Sequence, residues 1–228
     1  MTARHTLAAW LALAAIAGGL PTSASGGETG KIVRGERAPA LADPRLLAAY
    51  EKLRTADVDG AIADYAASLR KNPKNLDALL GMAVIAQRRH DPAGAERWYR
   101  QALAADPGDP DAQAGMIGLR GAADPLAAES RLHQLLATHA ESAALNFALG
   151  NLYAGQQRWG EAQRAYFRAH AADSTNPDYL YNLACSLDQL HRPTLAASHY
   201  RAALAAASLR PGSFDPARVE ARLGELAR

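Results

Sequence analysis

The residues with which this 228-residue sequence could do chemistry are seven histidines, one cysteine and a scatter of carboxylates. A catalytic or metal centre needs such groups to converge. His133 and His139 stand six positions apart, about 120° around a helix and not on one face. His191 and His199 straddle a turn. No His-Glu-x-x-His pair, glycine-rich phosphate loop or Gly-x-Ser-x-Gly elbow is present. The acidic residues sit singly at helix starts and on polar faces. The sequence therefore predicts no enzyme, no metal site and no cofactor. Cys185 has no second thiol to pair with, so it reads as a small apolar helix residue.

Composition narrows the class further. The chain is 49% apolar, which is enough for a core of ordinary size. Its formal charge of +2 and the lack of a basic stripe with interleaved aromatics argue against nucleic acid. Residues 1–25 have a different character. A short polar start (Arg4, His5) leads into an apolar run from Leu7 to Leu20, and Pro21-Thr22-Ser23-Ala24-Ser25 follows. That order is that of a secretory signal peptide, with cleavage expected after Ala24 or Ser25. The run is too short for the ~20 apolar residues of a membrane-spanning helix, so no stable span is expected. Residues 26–41, rich in glycine and charge, read as a flexible linker. The predicted location is periplasmic or secreted, with envelope association an extension of it.

The elements that remain are short helices repeated at fixed intervals. Ala61, Ala95, Ala128, Ala162 and Ala196 recur with a period of about 34, and Tyr65, Tyr99, Leu132, Tyr166 and Tyr200 each follow four residues later. A small residue in the preceding helix appears as Ala83, Gly150 and Ala184, with Ile117 departing from it, and Pro73 and Pro107 close units. On these positions the chain resembles the tetratricopeptide repeat family over roughly residues 42–210. The resemblance implies an all-α solenoid of about five helix–turn–helix repeats. Residues 211–228 are expected to add a capping helix, apolar at Val219, Leu223 and Leu226 and polar elsewhere. The third repeat, one residue short and with glycines at 115, 118 and 121, is expected to be the weakest.

In this family the first helix of each unit lines a concave groove. Mapped by that resemblance, Leu80, Val84, Phe147 and Tyr181 would offer an apolar, partly aromatic track for a protein or peptide segment. Some members grip a partner's terminal carboxylate with asparagines and basic residues from successive units. Asn151 and Asn182 match the asparagine positions, and Arg218 and Arg222 fall at the basic ones if the last helix is a sixth half-repeat. Phe147 stands where the first lysine would be, so the match is incomplete. A narrower resemblance, carried by Tyr179 to Ala205 and Phe214-Asp215-Pro216, is to repeat proteins of bacterial pilus or secretion assembly. Together these imply a non-catalytic protein–protein interaction scaffold. The alternative is a small-ligand carrier or sensor with its ligand in the groove.

Overall fold

A computed structural model describes residues 43–227. The signal peptide assigned to 1–25 and the linker assigned to 26–41 lie outside the described residues. Within them the chain is all-α, with eleven helices and no strand, as the repeat pattern requires. They are α1 (Pro44–Arg54), α2 (Val58–Lys71), α3 (Leu76–Arg88), α4 (Pro92–Ala105), α5 (Pro110–Arg120), α6 (Pro125–Thr138), α7 (Ala143–Gly155), α8 (Trp159–Ala172), α9 (Pro177–Gln189), α10 (Pro193–Ala207) and α11 (Pro216–Leu226).

Local chemistry sets the helix boundaries. An Asp, Asn or Ser side chain accepts a backbone N–H at the start of nine of the helices, Asp43, Asn75, Asp109, Ser142 and Asn176 capping the first helices of the five units. Proline at the first turn, where its missing N–H is not needed, adds to this in α1, α4, α5, α6, α9, α10 and α11. Four first helices end in one motif. Ala56, His90, Gln157 and His191 adopt left-handed φ values of 55 to 63°, and the next residue's N–H returns to a carbonyl one turn back, as in Asp91 N–H to Ala86 O at 2.9 Å. That hairpin sends each second helix back along the first.

Neighbouring helices interlock, both between units and within one, through an aromatic residue and a small one. The ring of Tyr65 on α2 lies against Gly81 on α3, that of Tyr99 on α4 against Gly115 on α5, and that of Tyr166 on α8 against Gly150 on α7. All three tyrosines are buried, as are Ala61, Ala95 and Ala162 one turn before them. A Cβ on Gly150 would stand 2.5 Å from two ring carbons of Tyr166, closer than atoms can pack.

The third unit departs from the others. It lacks the left-handed hairpin residue, and α5 ends after eleven residues with Gly121 in a right-handed conformation. Helix α5 packs less closely on its own partner α6 than on α7 of the next unit. Its Gly115 is required by the Tyr99 ring and is not simply a helix weakness. Gly150→Ala should lower unfolding free energy by about 1–3 kcal/mol through overpacking. Gly224→Ala, where nothing lies within 4 Å, should instead raise it by about 0.5–1 kcal/mol through helix propensity. Urea denaturation of the two variants checks the opposite signs.

Candidate partner-binding face

By register, the first helices α3, α5, α7 and α9 line the inner face, along which residues distant in sequence come into electrostatic reach. Arg88 at the end of α3 feels the charges of Asp178 on α9 and of Arg210, although three units separate them along the chain. The Tyr179 hydroxyl on α9 feels Asp111 on α5. This inner face carries the positions expected to bind a partner.

The apolar track expected there is not open to solvent, which corrects the sequence reading. Phe147 is 0% exposed, with its ring centroid 4.9 Å from that of Tyr179 and 5.6 Å from that of Tyr166. Leu80 is 5% and Val84 8% exposed, and Leu80 belongs to a buried cluster with Leu76, Leu79 and Ala83 against which Met116 and Leu119 pack. Tyr181 is half-buried because Phe214, on the segment before α11, stacks on it at 4.6 Å and 14°. The physical reason is shared. The tight helix spacing that small residues permit lets the array cover Phe147 and Leu80 itself.

The expected carboxylate clamp is likewise engaged within the chain. Asn151 accepts the Tyr166 hydroxyl at 2.9 Å, and the Asn182 amide donates to the Asp178 carbonyl at 2.8 Å. Arg222 forms a bidentate pair with Asp188 at 2.7 and 2.7 Å and a further bond to Glu225 at 2.6 Å. Two matched N–H donors on one carboxylate make a strong, oriented contact, and it locks α11 onto α9. Arg218 is 84% exposed and reaches Asp215 at 3.6 Å. The four residues are thus not brought together as converging donors for a ligand.

Sequence reasoning missed the return of the segment before α11. The Ser213 N–H and hydroxyl donate to Asp178 at 2.6 and 2.7 Å, Phe214 covers Tyr181, and Val219 is buried. Beside them the Tyr200 hydroxyl reaches Asp188 at 3.3 Å and Cys185 at 3.5 Å, and burial pushes the Cys185 thiol up from its ordinary value. The residues 178, 181, 185 and 188 thereby become an internal seam. A Phe at 214 just ahead of a helix was the available signal, but its target 33 positions earlier was not readable.

Two acidic residues of the first helices stay partly open, as does the half-buried Tyr181. Asp77 and Asp111, each the second residue of its helix, are half-buried and have no hydrogen bond or ion pair among the described residues. Asp111 is pushed up to about 7, first by burial and then by the like charges of Asp109 and Asp77. Burial also holds the Arg88 guanidinium below its ordinary value. Among the described residues no group of three or more His, Cys, Asp or Glu side chains is placed to hold a metal, and no helix is long and apolar enough to cross a membrane.

The raised Asp111 acid has a definite pH consequence. Below the ordinary value near 3.8 it is protonated folded or unfolded and has no effect. Between there and about 7 the folded state holds a proton that the unfolded chain has lost, so stability falls as pH rises, and the deficit is complete above about 7. Asp111→Asn should raise the melting temperature at pH 8 and leave it nearly unchanged at pH 3.5, read by calorimetry. Arg222→Ala should cost about 1–2 kcal/mol, a range reduced for the partial exposure of the guanidinium, and should raise hydrogen exchange first across 216–226.

Two family models, both described as the tetratricopeptide repeat, match the contiguous residues 52–117 and 118–177, together more than half of the chain. No curated protein sequence matches. Among solved structures, a thermophilic TPR protein of Thermus thermophilus is similar at 18% identity over 81% of this chain and 97% of that one, with a TM-score of 0.60. PilW, described as a widely conserved type IV pilus biogenesis factor, is similar at 20% identity over 82% and 89%, with a TM-score of 0.55. PilF of Pseudomonas aeruginosa is similar at 19% identity over 81% and 82%, with a TM-score of 0.53. At these identities the likeness is one of fold, and it agrees with the period, the paired helices and the buried tyrosines. The chain belongs to the tetratricopeptide repeat family.

Proposed function

We propose that this repeat protein is a non-catalytic scaffold of the bacterial periplasm or cell envelope. It holds a segment of a partner protein against the inner face of its first helices, in the assembly of pili or secretion systems. Tetratricopeptide repeats indicate a protein–protein interaction scaffold. One observation carries the rest. The array closes its own apolar seams but leaves an inner face whose carboxylates Asp77 and Asp111 have no partner among the described residues. Such a face suits a partner that brings its own side chains. The signal-peptide pattern of residues 1–25 supports export, and the fold shared with PilW supports the assembly setting.

The test is made in the native host. Chemical cross-linking of the tagged full-length chain, followed by fractionation and mass spectrometry, should find it in the envelope, trimmed near Ala24–Gly26. It should be joined to components of a pilus or secretion apparatus. A chain that keeps Met1 and remains cytosolic would contradict the location. A correctly exported chain with no cross-linked protein would contradict the scaffold.

A further inference from the structure

The joins between units are not all alike. From each second helix to the next first helix the chain takes four residues, 72–75, 106–109, 139–142 and 173–176. From α10 to α11 it takes eight, 208–215. The four earlier joins show that four residues suffice for this turn, so the surplus serves something other than connection. It is laid on α9. Ser213 gives its N–H and its hydroxyl to the two carboxylate oxygens of Asp178 at 2.6 and 2.7 Å. Phe214 stacks on Tyr181 with 4.6 Å between ring centroids and 14° between planes. Asp178 and Tyr181 are the second and fifth residues of α9, positions that register assigns to the inner face.

These are the contacts an extended peptide would make there: one backbone N–H, one small hydroxyl and one aromatic ring. On the side of the loop they are shallow. Ser213 is exposed and Phe214 half-buried, whereas Asp178 beneath them is 7% exposed. The chain to either side is held by other means. Before the loop, Arg210 pairs with Asp173 at 3.4 Å. After it, Asp215 caps α11 through the Ala217 N–H at 3.0 Å, Val219 is buried and Arg222 binds Asp188 at 2.7 Å. Residues 211–214 can therefore leave α9 while α11 stays docked.

We propose that residues 211–214 are a displaceable strap that occupies the partner's place on the last unit. A partner segment with a small hydroxylated residue followed by an aromatic one takes over Asp178 and Tyr181 when the strap lifts. The inference rests on the reading that a partner segment lies along the inner face, and it adds where the segment sits and what it carries. Because the strap and the partner compete for one surface, the free chain is self-inhibited at its C-terminal end. Its apparent affinity is lowered in proportion to the fraction of chains whose strap is lifted.

The probe is a fluorescein-labelled peptide of residues 209–217, Leu-Arg-Pro-Gly-Ser-Phe-Asp-Pro-Ala, measured by anisotropy against the full-length chain. Two variants loosen the strap by different means. Phe214→Ala removes the ring. Gly212→Ala displaces it, because a Cβ there would stand 2.6 Å from a ring carbon of Phe214. Both should bind the peptide about tenfold more tightly than the parent, whose own strap competes at high effective concentration. Binding should protect residues 178–188 from hydrogen exchange and should be lost when the peptide's phenylalanine is replaced by alanine. Exchange across 216–226 should stay as slow in both variants as in the parent. Variants that bind the peptide no better than the parent would overturn the inference and leave the inner-face reading standing. Faster exchange across 216–226 in both variants would do the same, since the strap and α11 would then move as one piece. Tight binding that protects no first helix would contradict both.

Discussion

The structure depends on a steric fit repeated along the array, within a unit or between neighbouring ones: an aromatic ring on one helix can be buried only because the helix beside it has no side chain there. Tyr65 with Gly81, Tyr99 with Gly115 and Tyr166 with Gly150 each bring a ring against a bare Cα. This close approach sets the distance between helices. It buries large apolar area per residue in a chain whose aromatics make up only 6% of the sequence. On the proposed function, a partner is held by what projects from the helices along the inner face.

The cap follows from the same constraint at its last repetition. After α9 and α10, the segment before α11 returns and lays Phe214 on Tyr181. Arg222 then fixes the cap by its paired bonds to Asp188. A solenoid end needs a surface that can face water. Here that end is sealed by one stacked ring, one buried valine and one ion pair, all contributed from residues 214–222.

Much of the fold was legible because its determinants are local. The Ala–Tyr spacing of one turn, the Asp-Pro helix starts and the period of about 34 are read directly, and they placed the paired helices and the buried tyrosines. The candidate site was less legible because burial at the inner face is set by residues far away in sequence. Phe147 has the spacing of a groove residue, yet Tyr179, 32 positions on, covers it. Asn151 looks like a ligand donor until the Tyr166 hydroxyl is found on it. Arg222 sits at a basic position by register, but its carboxylate belongs to this chain. Conversely, register places Asp77 and Asp111 at concave-face positions in the first turns of α3 and α5, but it does not show whether they find a partner. Only the folded chain shows that neither has a hydrogen bond or ion pair among the described residues, and that burial pushes the Asp111 acid up.

The array itself buries the apolar positions Leu80, Val84 and Phe147 of its first helices. Hydroxyl-radical footprinting of the free full-length chain tests this directly, because it compares phenylalanines of equal intrinsic reactivity. Phe147 is 0% and Phe167 55% exposed. Oxidation should be rapid at Phe167, slower at the half-buried Phe214 and near background at Phe147. Equal oxidation of Phe147 and Phe167 would mean that the apolar groove is open to solvent, and would contradict the self-covering of the first helices.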